Sequence, residues 1–215
     1  GMEDACAMAR RAAGELGTHE DEVAVCSTGT IGERIDLDIA GRGIVDAVRD
    51  LSGDGGADFG RAICTTDRAP KGGAFRLRLS SGEVVIGAAA KGAGMIRPDM
   101  ATMLAYVTTD ACLAPGDLAA LVSSAAAASF NRISVDAQMS PSDTLLVMAS
   151  GEGAPLAGDD LATFGAALTA VCRWLAIQMV KDGEGSDHAV RVVVSGARDE
   201  AEAHAVARAI GESSL

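Results

Sequence analysis

Hydrophobic residues recur every three or four positions in five segments of this chain, and that spacing is typical of helices with one buried face. The longest such segment is residues 160–179, in which five apolar side chains fall on one side: Phe164, Leu168, Val171, Leu175 and Met179. The same pattern predicts shorter helices over residues 3–16, 44–51, 117–128 and 200–210. Gly17 is suited to end the first helix, and Pro115 to precede the one at 117–128.

Short runs of apolar and β-branched residues predict strands between these helices. The clearest is a hairpin, in which residues 75–79 alternate apolar and polar, residues 80–82 turn, and residues 84–87 form the return strand. Further strands are predicted over residues 22–26, 61–66 (after a helix end), 103–108, 133–135, 144–148 and 190–194. Because helices and strands are mixed throughout, the fold class is α/β or α+β.

A glycine-containing turn at residues 182–185 follows the longest predicted helix and is the most plausible domain boundary. It separates a main α/β domain, residues 1–182, from residues 183–215, which we expect to begin a smaller C-terminal α/β part.

The composition narrows the class of function. Acidic residues outnumber basic ones by 30 to 18, and the net charge of −12 argues against nucleic acid as a partner, because phosphates bind to basic surfaces. No apolar run approaches the ~20 residues of a membrane span, and the first residues lack the features of a signal peptide. The five cysteines are scattered and the three histidines lie far apart in the sequence, so we predict free thiols, a cytoplasmic location and no metal site.

The most suggestive chemistry lies in the glycine-rich run that begins at Lys91 and leads to Thr102, eleven residues later. A threonine hydroxyl is a poor nucleophile unless a base lies beside it, and its own α-amine becomes that base if the preceding peptide bond is cut. An α-amine has a pKa of about 8, so part of it is neutral near neutral pH. The Ala101–Thr102 bond is therefore of interest, although a β-branched residue opening a buried strand is the simpler interpretation of Thr102.

Five sequence blocks, in this order along the chain, resemble the ornithine acetyltransferase (glutamate N-acetyltransferase) family of arginine biosynthesis. They are CSTGTIGER (26–34), AICTTDRAPK (62–71), KGAGMIRPDMATMLAYVTTDA (91–111), SFNRISVD (129–136) and KDGEG (181–185). The resemblance covers nearly the whole chain and implies a layered α-β-β-α sandwich of the ornithine acetyltransferase and DmpA type. Family members have further residues at both ends, so we expect this chain to match the middle of a member.

The resemblance implies a self-processing nucleophile. In the family the bond that matches Ala101–Thr102 cleaves itself, and the residue that matches Thr102 then serves as nucleophile and as part of the substrate site. An oxyanion hole is implied for the Thr28 hydroxyl and the Gly29 amide, which would stabilise the charge that develops during acyl transfer. Without the resemblance, Thr28 and Gly29 indicate only a turn at the end of a strand.

The resemblance also implies substrate-binding residues in three of these blocks. Lys91 is expected to bind the carboxylate of the amino-acid substrate, and Glu184 to lie near the substrate amine or the active threonine. One of two adjacent threonines adds a hydrogen bond, and we favour Thr65 over Thr66. From the residues alone, Lys91 would be a solvated loop charge and Glu184 an exposed carboxylate in a turn.

The implied activity is acetyl transfer from N-acetyl-L-ornithine to L-glutamate through an acetyl-Thr102 intermediate, with the two self-derived chains assembled as α2β2. No metal or prosthetic group is expected, while acetyl-CoA is a second acetyl donor in some members and its use here stays open. Residues 137–141 depart from the family's usual DGDTSTNDT-like run. That departure keeps open a diverged amidase, an aminopeptidase or an acetyltransferase of secondary metabolism, and the expected absence of both ends keeps open a non-catalytic fragment.

Overall fold

The structure is a computed structural model that describes residues 1–97 and 103–213. It divides into two compact units, Gly1–Asp58 and Phe59–Leu215. This division differs from the predicted boundary after residue 182, because the residues that follow 182 group with the unit that begins at Phe59. A separate C-terminal domain from residue 183 onwards stays a prediction.

The first unit begins with α1 (Met2–Leu16), which matches the first predicted helix. It ends at Gly17, whose φ of 71° is a left-handed conformation that glycine adopts without steric cost. The Asp4 carboxylate on α1 is buried and accepts a hydrogen bond from Arg34 Nε over 3.1 Å. This contact ties the long loop after α1 back to the helix.

The second helix of this unit, α2 (Leu37–Arg49), packs against α1. It begins seven residues before the predicted start at residue 44, because the Asp36 carboxylate caps it. That carboxylate accepts the N–H groups of Asp38 and Ile39, each over 3.0 Å, and so satisfies backbone donors that a helix start leaves free.

The second unit is built on a four-stranded sheet in the order β1-β2-β3-β4. β1 (Lys71–Leu79) and β2 (Gly82–Lys91) form the predicted hairpin, while β3 spans Leu104–Thr109 and β4 spans Thr144–Ala149. Pairs β1–β2 and β2–β3 are antiparallel, whereas β3–β4 is parallel. A parallel pair needs a crossover connection, and α4 (Pro115–Ala128) lies in it.

The core of this unit lies between one face of the sheet and α5 (Gly158–Lys181), the predicted long helix, against which α4 also packs. Alternate strand residues point to this face because side chains along a strand alternate sides. The principal core residues are Val84, Ile86, Ala90, Ala105, Val107, Phe164, Leu168, Leu175 and Met179. Phe75 and Trp174 meet edge to face at its rim, with 5.4 Å between ring centroids.

These elements confirm the predicted mixed α/β class. Of the layered sandwich that the resemblance implies, the described residues contain this one sheet with α4 and α5 beside it. Two further described helices are α3 (Gly56–Ala62), in which the division between the units falls, and α6 (Glu200–Gly211), which was predicted. Phe59 of α3 lies edge to face with Tyr106 of β3, with 5.0 Å between centroids.

By length and composition, α5 is the one helix in the described chain that is long and apolar enough to cross a membrane. The sequence analysis predicted this helix but did not identify it as a candidate membrane span, because polar residues interrupt its apolar ones. Many of its apolar side chains fill the core, as in the central helix of a globular domain.

Four predicted strands are wrong: residues 22–26, 133–135 and 190–194 and the strand part of 61–66 are not strands in this structure. The helix end predicted within 61–66 is confirmed, since α3 ends at Ala62. A strand is stable only where a neighbour accepts and donates its backbone hydrogen bonds, and apolar composition does not reveal whether that neighbour exists. Residues 190–194 illustrate this, since Val190 is 81% exposed and Val193 is 73% exposed.

The turn between β1 and β2 is held by a carboxylate from α5, and this contact predicts a pH effect on stability. Asp160 accepts hydrogen bonds from the N–H groups of Ser80 and Ser81 and from the Ser80 hydroxyl, at 2.8–2.9 Å. Hydrogen bonds from Ser81 and Ser80 lower the pKa of Asp160 to about 2. A lowered pKa stabilises the fold above the unfolded pKa, and that stabilisation is lost as the pH falls through the folded pKa.

We expect Asp160→Asn to unfold more easily than the wild type at neutral pH, with the difference closing as the pH falls from about 4 to about 2. Urea denaturation across this pH range measures the difference. A gap that stays constant down to about pH 2 would contradict the assigned role of the Asp160 charge.

Candidate functional site

A pocket of about 410 Å³ in the second unit brings together residues that are far apart in the sequence. Its walls come from the loop after α3, the end of β2 with the loop that follows, the loop before β4, and the turn after α5. The lining residues are Thr65, Thr66, Lys91, Gly92, Ala93, Gly94, Met95, Asp136, Gln138 and Glu184. The structure therefore places three of the four predicted substrate-binding residues, Thr65, Lys91 and Glu184, around one cavity.

Lys91 is the last residue of β2 and is only 1% exposed, so the alternative of a solvated loop charge is wrong. Burial lowers the pKa of the Lys91 ammonium, and the negative charges of Asp67 and Asp143 act against that shift. Within residues 1–97 and 103–213, no hydrogen bond or ion pair engages this ammonium. A buried cation without a close partner favours an anionic ligand, because the ion pair that forms offsets the desolvation penalty of the cation.

Glu184 lines the same pocket as Lys91 and is held at both its backbone and its side chain. Its N–H donates to the carbonyl of Ala93 over 2.7 Å, and its carboxylate accepts from the Thr66 hydroxyl. Gly94 makes room for this carboxylate, since a Cβ there would lie 2.7 Å from a Glu184 oxygen. The contact to Glu184 comes from Thr66 and not from Thr65, the threonine that we favoured, although both line the pocket.

A buried ion cluster fixes the positions of these loops. The Lys71 ammonium, at the start of β1, lies 2.5 Å from an Asp67 oxygen and 2.6 Å from an Asp182 oxygen. Asp67 also accepts the Gly92 N–H over 2.8 Å, and Asp182 accepts the Arg68 N–H over 3.0 Å. The Lys71 ammonium therefore connects the loop that carries Thr65 and Thr66, the residue after Lys91 and the turn that carries Glu184.

Asp67 remains charged in this cluster in spite of its burial. Burial acts to raise the pKa of Asp67, but hydrogen bonds from the Gly92 N–H and the Lys71 ammonium outweigh it and hold the pKa below its usual value. The sequence analysis did not single out Asp67, Lys71 or Asp182. The available signal was that all three lie in the blocks that carry the family resemblance.

A second carboxylate, Asp136, shapes the loop after β2. It accepts the N–H groups of Met95 and Ile96, the latter over 2.9 Å, and the N–H of Gln138 over 3.1 Å. Met95 has a φ of 53° and Ala137 a φ of 59°, a left-handed conformation that is unfavourable for residues with a Cβ. Ala137 stands in the run that departs from the family pattern.

A third carboxylate, Asp143, lies at the other end of the same loop. One of its oxygens accepts the Met103 N–H over 2.9 Å, and the other is buried and unpaired within the described chain. Burial raises the pKa of Asp143 to about 6, in spite of the Met103 hydrogen bond and the Lys91 charge, which act to lower it. Asp143 lies two residues beyond the run 137–141 that departs from the family pattern.

Four predicted residues are not placed in this pocket. Ala101 and Thr102 lie outside the described residues. Thr28 and Gly29 belong to the first unit, in an exposed stretch without regular structure between α1 and α2. The oxyanion hole and the cleavage site therefore stay predictions.

The buried ion cluster predicts a large loss of stability when its cation is removed. Lys71→Met leaves two buried carboxylates without their cation, and we expect the free energy of unfolding to fall by about 3–5 kcal/mol in urea denaturation. Arg76→Met is the matched control, because Arg76 also lies on β1 but is exposed and pairs with Glu83 of β2. Its effect should stay within about 1 kcal/mol. Equal losses in the two variants would contradict a structural role for the Lys71 cluster.

The left-handed Ala137 predicts an unusual gain in stability from a glycine. We expect Ala137→Gly to raise the free energy of unfolding by about 1 kcal/mol, because glycine relieves the strain of a positive φ. Ala119→Gly, on the exposed side of α4, is the control and should lower it by about 1 kcal/mol. Thermal unfolding compares both variants, and a loss of stability in Ala137→Gly would refute the strain.

Comparison with known proteins places the whole chain in one family. The ArgJ family matches residues 1–215. The arginine biosynthesis bifunctional protein ArgJ of Symbiobacterium thermophilum is 44% identical over 223 residues, which cover 100% of this chain and 54% of that protein. The protein of the same name from Caulobacter vibrioides is 44% identical over 215 residues, which cover 96% of this chain and 53% of that protein.

A crystal structure of arginine biosynthesis bifunctional protein argJ from Bacillus halodurans shares 40% sequence identity. The match covers 50% of this chain and 52% of that one, with a TM-score of 0.47, too low to support an argument about the fold. The chain spans about half the length of the relatives it matches. On the sequence identity and the complete family match, the chain belongs to the ArgJ family.

Proposed function

We propose that this chain carries the nucleophile and much of the amino-acid pocket of an ornithine acetyltransferase. Its Ala101–Thr102 bond cleaves itself, and Thr102 then carries acetyl from N-acetyl-L-ornithine to L-glutamate in a ping-pong reaction. Family membership supports a role in arginine biosynthesis, as the relatives' name indicates.

The observation that carries the proposal is a pocket lined by Glu184 and by the buried Lys91, whose ammonium has no partner among the residues that the structure describes. A cation and a carboxylate in one cavity suit an amino acid, which has a carboxylate for Lys91 and an amine for Glu184. Lys91 also pairs across the sheet with Leu104, and the chain leads to Leu104 directly from Thr102. Lys91, the proposed carboxylate-binding residue, therefore lies opposite a residue that is only two positions after the proposed nucleophile in the sequence.

Self-cleavage begins when the Thr102 hydroxyl attacks the Ala101 carbonyl. The C–N bond breaks as the ester C–O bond forms, the nitrogen leaves as the α-amine of Thr102, and water then hydrolyses the ester. The new amine takes the hydroxyl proton when Thr102 attacks the acetyl group of N-acetylornithine, and ornithine departs with that proton. Glutamate reverses the same steps, and the Thr28 hydroxyl and Gly29 N–H stabilise each oxyanion.

Cleavage would produce one chain that ends at Ala101 and another that begins at Thr102, and we propose that they assemble as α2β2 in the cytoplasm. The chemistry needs no metal or prosthetic group, because the protein supplies nucleophile, base and oxyanion donors. Acetyl-CoA would be a second donor for the same acetyl-Thr102 intermediate, with glutamate as the acceptor.

A second candidate is hydrolysis of an N-acyl amino acid, in which water replaces glutamate as the acceptor. The observation that favours it is Gln138, which lines the pocket from the run that departs from the family pattern. An altered lining changes which acceptor fits.

Mass spectrometry of the protein expressed at full length tests the proposal. We expect two fragments that meet at Ala101 and Thr102, and a mass gain of one acetyl group on the second fragment after brief incubation with N-acetylornithine. Addition of glutamate should remove that acetyl group as N-acetylglutamate, whereas a hydrolase would release acetate at the same rate with or without glutamate.

Thr102→Ala should remain a single chain, and Thr102→Ser should still be cleaved, since serine keeps the hydroxyl. Thr66→Ala is the matched control, because it alters a pocket threonine without removing the nucleophile and should leave cleavage intact. A wild-type chain that stays whole would refute self-processing.

A further inference from the structure

Glu184 lies on a turn whose backbone is bound by one residue of the loop before β1. The Arg68 N–H donates to the Asp182 carboxylate over 3.0 Å. The Arg68 guanidinium donates to the carbonyls of Gly183 and Ser186, over 3.3 Å and 3.2 Å. These contacts lie before and after Glu184 along the chain, so they hold its backbone from both sides.

The side chain of Glu184 is exposed, so neighbouring groups and not core packing set the direction of its carboxylate. A glutamate side chain free in water populates several rotamers, and restricting it to one costs free energy. Within the described residues, one donor reaches this carboxylate: the Thr66 hydroxyl, which donates to Oε1. The carboxylate also lies against Gly94, where a Cβ would be 2.7 Å from Oε2.

The second oxygen of this carboxylate, Oε2, is left for a ligand. It accepts no hydrogen bond from the part of the chain that the structure describes, and both Glu184 and Gly94 line the pocket. A carboxylate oxygen can accept further donors, and an ammonium group supplies several N–H donors together with the opposite charge.

The two adjacent threonines of the pocket differ in what their groups bind. The Thr65 backbone N–H donates to Asp67 over 3.2 Å, whereas its hydroxyl makes no hydrogen bond to the described residues. The Thr66 hydroxyl is already bound to Glu184. Thr65 can therefore offer its hydroxyl to a ligand, while Thr66 acts on the pocket through Glu184.

We propose that Thr66 is a positioning residue that sets the preference of this pocket for ligands with an amine. Its hydroxyl holds Oε1 of Glu184 and so presents Oε2 to the ammonium group of an amino acid. The inference rests on the amine-binding role that the proposed function gives to Glu184, and it adds a residue that acts through Glu184 without touching the ligand.

The physical effect of Thr66 is preorganisation. A carboxylate already held in its bound direction loses little freedom when the ligand arrives, whereas a free one must be ordered at that moment. Removal of the hydroxyl should therefore weaken ligands whose amine binds Glu184, and should spare ligands that have only a carboxylate.

The test measures dissociation constants of two ligands by calorimetry, in the protein expressed at full length. L-ornithine carries a carboxylate and amines, and pentanoate carries the same five-carbon carboxylate without an amine. Thr66→Val removes the hydroxyl and keeps the shape, while Thr66→Ser keeps the hydroxyl. Thr163→Val is the matched control, because Thr163 is an exposed threonine on α5 whose bonded hydroxyl lines no part of the pocket.

We expect Thr66→Val to bind L-ornithine about tenfold more weakly than the wild type and to bind pentanoate equally well. Thr66→Ser and Thr163→Val should match the wild type for both ligands. In a Glu184→Ala background, Thr66→Val should cause no further loss, because the two residues act as one unit. Circular dichroism verifies that each variant is folded.

Three results would overturn the inference. Equal weakening of L-ornithine and pentanoate by Thr66→Val would show a general disturbance of the pocket. An unchanged affinity for L-ornithine in Thr66→Val, or a loss in Thr66→Ser as large as that in Thr66→Val, would show that the hydroxyl is not needed. A full tenfold loss in the Glu184→Ala background would show that Thr66 does not act through Glu184.

Ligand binding is measured without turnover, so this test is separate from that of the proposed function. A chain that is never cleaved or acetylated but shows the expected affinities would refute acetyl transfer and leave the role of Thr66 standing. A cleaved and active protein in which Thr66→Val binds L-ornithine as the wild type does would refute the role of Thr66 alone.

Discussion

The neutralisation of one buried cation, Lys71, organises the pocket. Water cannot solvate an ammonium that is 4% exposed, so carboxylates must approach it from neighbouring loops. Asp67 and Asp182 do so, although Asp182 lies 111 residues along the chain from Lys71. Because Asp67 also binds the Gly92 N–H, the same cluster fixes the loop that follows Lys91. The loops that line the pocket are thereby tied to the first residue of β1.

The two buried lysines of this sheet, Lys71 and Lys91, differ in whether a described carboxylate pairs with their ammonium group. Lys71 pairs across the hairpin with Ala90, so it and Lys91 lie on neighbouring strands but point to opposite faces. Lys71 has two carboxylates within 2.6 Å, whereas no described residue pairs with Lys91. A cation with its charge satisfied serves the fold. A cation left unsatisfied beside a cavity raises the free energy of the empty site, and an anionic ligand lowers it again.

Sequence patterns predicted the strands that pair with their neighbour along the chain and the helix whose apolar spacing continues over many residues. The hairpin and α5 are such cases, since a two-residue turn and a long apolar face need no further information. Residues 133–135 and 190–194 have the composition of strands but do not join the sheet, which only tertiary structure shows. The same limit applies to the site. The resemblance identified Lys91 and Glu184. The role of Asp67 depends on the hydrogen bond from the Gly92 N–H, 25 residues along the chain, and no local pattern reveals that contact.

The two ends of the loop 136–143 hold the backbone, and neither end lies in the run 137–141 that departs from the family pattern. Its first residue, Asp136, binds the N–H of Ile96, and its last, Asp143, binds the N–H of Met103. These two contacts lie on the two sides of the proposed cleavage site along the chain, so one loop holds described backbone before and after it. The contacts require only the two carboxylates and the distance between them. Residues 137–141 can therefore differ from the family run, with the strain at Ala137 as a cost, while the backbone on both sides of Thr102 keeps its supports.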